Sequence, residues 1–383
     1  MKKLDVILVN RNMVAGGIET AILGFMQNLK EYVNFDLLLF NKCGTLLSRV
    51  PKETRVLETG RILRLLGNTY AGNIQQKSTT VSYDIKKKIL KFAKKLGAEK
   101  ALGKFAFVGQ KQNKKYDIGI CCHGIDYLKC KYVLKCVDAR YKIAFIHCDV
   151  REYKVSKKTL KMLLKFDKIL CVSKSCANIF LEKYPQFTNV DYLYNFQDID
   201  RIKKLADAFE VEYKHGLNLV TAARLTEQKG HIRALRVLKR LHDEGYSFIW
   251  NIVGNGEKEE EIFEFIKQNQ MEDYAIMHGL QSNPYPFIKK ADLFFLATLH
   301  EAAPMVYCEA MSLRVPVFTT NTCSADELVG DLGFVCDNSE EEIYLKLKEI
   351  FDNPALLTLS KEKIKDYHYG NEEIVKKFLD MFK

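Results

Sequence analysis

The sequence predicts two doubly wound α/β domains, each a mostly parallel sheet covered by helices. Three observations carry that prediction. Short apolar runs alternate with helical patterns along the chain, and the runs are continuously apolar, as in strands buried on both faces. The pattern starts afresh at about Asn218, and 383 residues suit two cores of roughly 150–200 residues better than one. Charge divides the same way: residues 1–197 hold 36 Lys+Arg against 16 Asp+Glu, a balance of +20, whereas 198–383 hold 23 against 32, a balance of −9.

The elements follow in order. KLDVILVN (3–10) reads as a strand and GGIETAILGFMQNLK (16–30) as a helix with Ile18, Ala21, Ile22, Phe25 and Leu29 on one side. FDLLLF (35–40), YDIGICC (116–122), YKIAFIH (141–147) and KILCVS (168–173) are the next strands. A polar link near 195–213 closes this half. NLVTAAR (218–224) then begins the second sheet, and IRALRVLKRLHDEG (232–245) is a helix stopped by Gly245. FIWNIVG (248–254), AIMHG (275–279), DLFFLAT (292–298) and VPVFTT (315–320) complete the strands. The reading gives an N-terminal domain over 1–197, a C-terminal domain over 198–362, and a last helix within 363–383 that crosses back to the first domain. Ligands of such sheets bind beyond the carboxyl ends of the strands, so a cleft between two facing domains is the expected site.

Composition narrows the class. The chain is 47% hydrophobic and 28% charged, with no low-complexity tract. No run of 18 apolar residues marks a transmembrane helix. MKKLDVILVN opens like a signal peptide, but Asp5, Asn10 and Arg11 interrupt it, and a buried first strand is the better reading. Eleven cysteines form no ladder of pairs, and CKYVLKC (130–136) lacks the second cluster that a zinc site needs. Buried reduced thiols in a cytoplasmic protein are expected. The net charge of +11 is concentrated in DIKKKILKFAKKLGAEKALGKF (84–105), where Ile85, Ile89, Phe92 and Leu96 recur at helical spacing among lysines. Such a helix suits an anionic membrane surface at the inner membrane face, or packs one side on its own domain and leaves the lysines solvated. No nucleic-acid motif accompanies the lysines, and no nucleic-acid partner is expected.

Four loops after expected strands carry chemistry. In NRNMVAGGIET (10–20), Gly16 and Gly17 open a helix whose amides and dipole favour an anion. Glycine suits any strand-to-helix turn, however, and the dinucleotide fingerprint GxGxxG is absent. Gly254-Asn255-Gly256 is an equally weak fragment of it. In AARLTEQKGH (222–231), Arg224 and Lys229 precede a helix whose dipole they oppose. A diphosphate between them explains both, Arg as a fork and Lys as a point charge. In IHCDV (146–150), His147 closes an apolar strand and should sit at a site rim, either as a functional group or as a satisfied structural one. In LHEAAPMVYCEAMS (299–312), Glu301 falls in a loop and Glu309 within a helix that has Pro304 in its first turn. The amides of Met305 and Val306 face the same side.

Together these segments resemble the retaining glycosyltransferases of family 4, the group 1 glycosyltransferases with the GT-B fold. The E-x7-E pair, the RL-x-x-x-KG loop and the N-terminal Gly-Gly turn occur in the family's order. VGNGEKEE, HGLQSNPYPFIKKADLFFLAT and LYNFQDID add to the match, which is strongest over 218–337. The resemblance implies GT-B architecture, two Rossmann-like doubly wound domains facing across a cleft. It implies a retaining, metal-independent, hexosyltransferase-type enzyme without a bound cofactor. The donor would be a nucleotide-sugar, with UDP as the expected nucleotide, and the acceptor a saccharide or lipid-linked glycan in bacterial capsule, exopolysaccharide or lipopolysaccharide synthesis. Arg224 and Lys229 would hold the diphosphate, Glu309 the ribose, and Glu301 the donor sugar. Met305 and Val306 would complete the donor site, Gly16 and Gly17 would approach phosphate or sugar, and His147 would lie near sugar and acceptor. The base would rest against Met277–Gly279. Asp198-Ile199-Asp200 spells the D-x-D of metal-dependent transferases but falls in the interdomain link. Ala302 stands where many members have glycine, which bears on donor identity. Some GT-B chains are non-catalytic partners of an active transferase, the alternative reading.

Overall fold

The computed structural model describes residues 2–64 and 106–382. The lysine-rich helix expected over 84–105 lies outside the described residues. Seven parallel strands form the first sheet in the order β3-β2-β1-β4-β5-β6-β7: β1 (Leu4–Asn10), β2 (Val33–Leu39), β3 (Arg55–Glu58), β4 (Lys115–Cys121), β5 (Asp138–Ile146), β6 (Lys168–Cys171) and β7 (Val190–Tyr192). Its helices are α1 (Gly17–Leu29), α2 (Tyr127–Cys136) and α3 (Lys157–Leu163). Val6, Ile7, Leu8 and Val9 of β1 are buried without alternation, because helices cover both faces of a parallel sheet. Helix α1 buries Ala21 to Met26 without a break, and Leu29, so it is covered on more than one side.

Six further parallel strands form the second sheet in the order β10-β9-β8-β11-β12-β13: β8 (Leu217–Ala222), β9 (Phe248–Val253), β10 (Ala275–Gly279), β11 (Leu293–Leu296), β12 (Val317–Thr320) and β13 (Phe334–Cys336). Helix α4 (Lys174–Lys183) follows β6 in sequence, and α5 (Ile199–Ala206) opens the second half. Then come α6 (His231–Asp243), α7 (Glu259–Gln268), α8 (Tyr285–Lys290), α9 (Met305–Ser312), α10 (Ala325–Leu328), α11 (Glu340–Asp352), α12 (Ala355–Lys363) and α13 (Asn371–Asp380). Leu235, Leu238 and Leu241 of α6 share a core with Trp250, Phe295 and Phe318. Gly245 takes the left-handed conformation (φ 94°) just past the end of α6, which is why a glycine stops this helix.

The chain divides into two compact units: residues 1–147, 154–171 and 184–192, and residues 148–153, 172–183 and 193–383. Helix α4 therefore belongs with the second unit, as does α13. Asn371, at the start of α13, accepts from the Gln197 amide at 3.1 Å and donates to the Gln197 carbonyl at 2.7 Å, both inside that unit.

Strand order reverses direction between β1 and β4 in the first sheet and between β8 and β11 in the second. At such a point the two flanking connections leave on opposite faces, opening a crevice at the carboxyl ends. The segments after β1, β4, β8 and β11 carry most of the residues singled out by the sequence.

Candidate functional site

In the second unit the crevice is built by two loops. Beyond β8 the chain passes Arg224, makes a 3-10 turn over Glu227–Lys229, and enters α6 through Gly230. Gly230 has φ 68°, and a Cβ there would fall 1.8 Å from the Ala297 carbonyl oxygen. Only glycine fits both the conformation and the contact. The second loop, after β11, lies against the first. Leu299 N donates to Gln228 O at 2.8 Å, Thr298 Oγ1 to Gln228 O at 2.9 Å, and Gln228 Nε2 to His300 O at 2.7 Å.

This stitching brings Lys229 onto Glu301. Lys229 Nζ pairs with Glu301 Oε1, and Thr298 Oγ1 donates to the same oxygen at 3.2 Å. Glu301 is only 8% exposed, so its charge depends on that pair. Arg224 is exposed and makes no ion pair with a described residue. Tyr153 feels both charges. Burial raises its hydroxyl pKa, Glu301 raises it further, and Arg224 opposes. The Tyr153 ring meets His300 edge-on at 6.2 Å.

Helix α9 begins at Met305, with Val306 next, so both lie in its first turn as expected. Pro304 differs in detail. It is the N-cap, with extended backbone (ψ 121°), and not the first helical residue, because the buried loop 301–302 feeds the helix from an extended segment. Glu309 sits in α9, and Tyr285 Oη at the start of α8 donates to its Oε1 at 3.5 Å. Strand β10 ends at Gly279, whose carbonyl accepts from Gly254 N at 2.9 Å. The fragment Gly254-Asn255-Gly256 has a packing reason. A Cβ would come 1.9 Å from Ala223 O at Gly254 and 2.2 Å from Leu225 O at Gly256. The loop after β9 thus presses on the backbone that carries Arg224.

In the first unit, Gly16 is the N-cap of α1 with extended φ (−173°), and neither Gly16 nor Gly17 is left-handed. A Cβ at Gly17 would meet nothing within 4 Å, whereas at Gly16 it would fall 2.8 Å from Glu19 Oε2 and 3.8 Å from the Val14 carbonyl oxygen. Gly17 is not explained by the described residues around it. Near them lies a partly buried polar network around the buried Asn10 and Lys129. Asn10 Nδ2 donates to Glu19 Oε1 at 3.0 Å, and Lys129 Nζ to Asn10 Oδ1 at 3.0 Å. Arg11 Nη2 pairs with Asp126 Oδ2 at 2.7 Å, and Lys129 Nζ lies 3.7 Å from the same carboxylate. His147 follows β5 directly, with its ring stacked on Phe145. Burial and then Lys129 lower its pKa to about 3, so it is neutral at physiological pH. His123, after β4, is lowered by the same two causes in the same order.

Several contributors had no signature in the sequence. Arg233 is buried and donates to Ala297 O at 2.7 Å and Thr298 O at 2.6 Å, clamping the loop that leads to Glu301. Thr298, Tyr153, Asn10 and Lys129 are ordinary residues in sequence, and only the tertiary pairing reveals them. An Arg one turn past a Lys-Gly turn, on the buried side of an amphipathic helix, was the one available hint. The D-x-D at 198–200 is a helix start: Asp198 caps α5 by accepting from Arg201 N at 3.3 Å.

Residues 203–369 match the family described as glycosyl transferases group 1. An uncharacterized glycosyltransferase of Methanocaldococcus jannaschii is 30% identical over 132 residues, 33% of this chain, and the match spans only 32% of that protein's length. The amylovoran biosynthesis glycosyltransferase AmsD of Erwinia amylovora is 23% identical over 294 residues, covering 72% of this chain and 80% of AmsD. Among solved structures, Anabaena HepE in complex with UDP-glucose superposes with a TM-score of 0.69 over 99% of both chains at 15% identity. The fold is thus the two-domain Rossmann-like GT-B class that the resemblance implied, built from the two doubly wound domains that the strand pattern predicted. Residues 203–369, the segment that this family match covers, hold both glutamates and the Arg224–Lys229 loop.

Proposed function

We propose that this protein transfers a hexosyl group from a nucleotide-sugar, with UDP as the nucleotide, to a saccharide or lipid-linked glycan, retaining anomeric configuration and using no divalent metal. The observation that carries the reading is the Lys229–Glu301 pair beside the exposed Arg224 at the strand-order reversal of the second sheet. A diphosphate takes Lys229 and Arg224 as counter-charges, and Glu301 then accepts from sugar hydroxyls. Charge-assisted bonds of this kind contribute roughly 1.5–3 kcal/mol each. As the glycosidic bond breaks, negative charge grows on the diphosphate, where fixed cations and the first-turn amides of Met305 and Val306 stabilise it. Glu309 is assigned the ribose hydroxyls and the end of β10 the base. In the first unit, Gly16 and Gly17 are assigned phosphate or sugar, and neutral His147 the sugar and acceptor.

AmsD, named for amylovoran biosynthesis, and the UDP-glucose complex of HepE support a role in assembling cell-surface polysaccharide from a UDP-sugar. Work at the cytoplasmic face of a membrane is part of the proposal. Among the described residues no helix is long and apolar enough to cross a membrane. Calorimetry against a panel of UDP- and GDP-sugars should find at least one that binds, with binding lost in Lys229→Ala. Transfer in the presence of chelator, with the product anomer read by NMR, tests metal independence and retention. A folded protein that binds no nucleotide-sugar would overturn the proposal.

A further inference from the structure

Eleven free cysteines are described, and nine of them are buried. Cys176 and Cys323 are a close pair. Their Sγ atoms lie 2.9 Å apart, closer than two sulfurs in ordinary van der Waals contact. Cys176 is in the first turn of α4, and Cys323 is in the loop between β12 and α10, both in the second unit. The two elements are held together independently of the thiols. The Glu327 carboxylate accepts from Lys174 N at 2.8 Å and Ser175 N at 2.7 Å, and also from Tyr194 Oη at 2.5 Å. Cys323 is partly exposed, so a small solute reaches it, whereas Cys176 is 2% exposed. The other close pair, Cys121 and Cys130 at 3.8 Å, is fully buried, and Cys130 donates to Gly124 O.

We propose that Cys176 and Cys323 form a redox-responsive pair that governs the loop carrying Glu301. The link is a single contact: Cys176 Sγ lies 3.4 Å from the carbonyl oxygen of Ala302, the residue after Glu301. The reduced thiol donates its proton there or to Cys323. A peroxide supplies the oxidising equivalents. The neighbouring Cys176 and then burial push the Cys323 thiol well above the usual thiol range, so it is its minor thiolate form that attacks one peroxide oxygen; the O–O bond breaks, and Cys323 becomes a sulfenic acid as hydroxide leaves. Cys176 then attacks that sulfur, its proton goes to the departing oxygen, and water is released as the S–S bond forms. Two thiols lose two electrons and two protons, and one peroxide becomes two waters. Closing the gap to a disulfide length needs a movement of about 0.9 Å. Ala302 O is left without its donor, and the buried loop 301–304 loosens at one end. A dithiol reductant reverses the change.

The chemistry of the pair stands apart from the proposed glycosyl transfer, and only its effect on donor binding rests on that reading. The full chain is treated with graded hydrogen peroxide and read by intact mass, peptide mapping and amide hydrogen exchange. The expected product lacks two hydrogens, maps to a 176–323 cross-link, and is reversed by dithiothreitol. Exchange over 299–306 should become roughly fivefold faster, the scale of one lost hydrogen bond. Cys176→Ser should stop at a sulfenic acid on Cys323, trapped by dimedone, while Cys121→Ser should behave as wild type. A cross-link elsewhere, or none at low peroxide, overturns the site. A 176–323 cross-link with unchanged exchange over 299–306 overturns the control of the loop. Both results are independent of whether any nucleotide-sugar binds.

Discussion

The two crevices hold similar side chains in opposite states. In the first unit, Lys129, Asn10, Glu19, Arg11 and Asp126 satisfy one another in a partly buried network, and the histidines beside it are kept neutral. In the second unit, Arg224 faces solvent and Lys229 has a single carboxylate partner. A cation already surrounded by partners gains little from a ligand, whereas one that is paired once, or not at all, gains a great deal. The difference separates a crevice organised for shape from one organised for charge, and it can be tested in both places.

The largest effect is expected at Lys229. Lys229→Ala should abolish measurable nucleotide-sugar turnover, a loss of roughly a hundredfold or more. It should also destabilise the protein by roughly 2–3 kcal/mol, because Glu301 is left buried without its counter-charge. Adding Glu301→Gln should restore most of the melting temperature and none of the turnover. If the single variant melts like wild type, the pair is not what holds this crevice.

The next effect contrasts glycines. Gly230→Ala should cost roughly 3 kcal/mol in denaturant unfolding, from left-handed strain together with the clash on Ala297. Gly17→Ala should change stability by less than about 1 kcal/mol, since alanine favours a helix and meets open space. Its donor affinity should nevertheless fall. A Gly17→Ala protein with wild-type affinity would remove the first unit's glycines from the proposed site.

Acid is expected to act mainly on the first crevice. His147 titrates near 3 when folded and near 6.5 when unfolded. Below about 6.5 the unfolded chain therefore binds a proton that the folded chain refuses, so stability is complete above that pH and declines as pH falls toward 3. Chemical unfolding at several pH values should show a shallower decline for His147→Gln, with the remaining slope shared by His123 and by His231, which is likewise lowered to about 3 by burial and then Lys229. An unchanged slope would mean that His147 is open to water. The smallest effect belongs to Tyr285→Phe. Its bond to Glu309 is long at 3.5 Å, so stability should move by no more than about 0.5 kcal/mol, and any larger loss in donor binding would mark a tighter contact in the complex.

What the sequence made legible follows burial. Central strands such as β1, β8 and β9 declare themselves as continuous apolar runs because they are covered on both faces. The strands that escaped were β3, β7 and β13, each three or four residues long, half exposed, and at a sheet edge. Half-covered edges need no apolar run, so no run announced them. Within the site, Glu301, Glu309, Arg224 and Lys229 stood out because charge is conspicuous among small and apolar neighbours. Arg233 did not, since its partners Ala297 and Thr298 lie 64 and 65 residues away in sequence.

Arg233 has a practical consequence for anyone who wishes to exchange the loop that carries Glu301. One guanidinium on α6 ties the carbonyls of Ala297 and Thr298 to the helix that begins at the Lys-Gly turn. The two loops are therefore a single transplantable cassette. Exchanging 299–304 with a relative while keeping the native 224–233 would import a loop shaped by another protein's clamp, and the graft would sit askew. Moving both segments together keeps the clamp with the loop it grips.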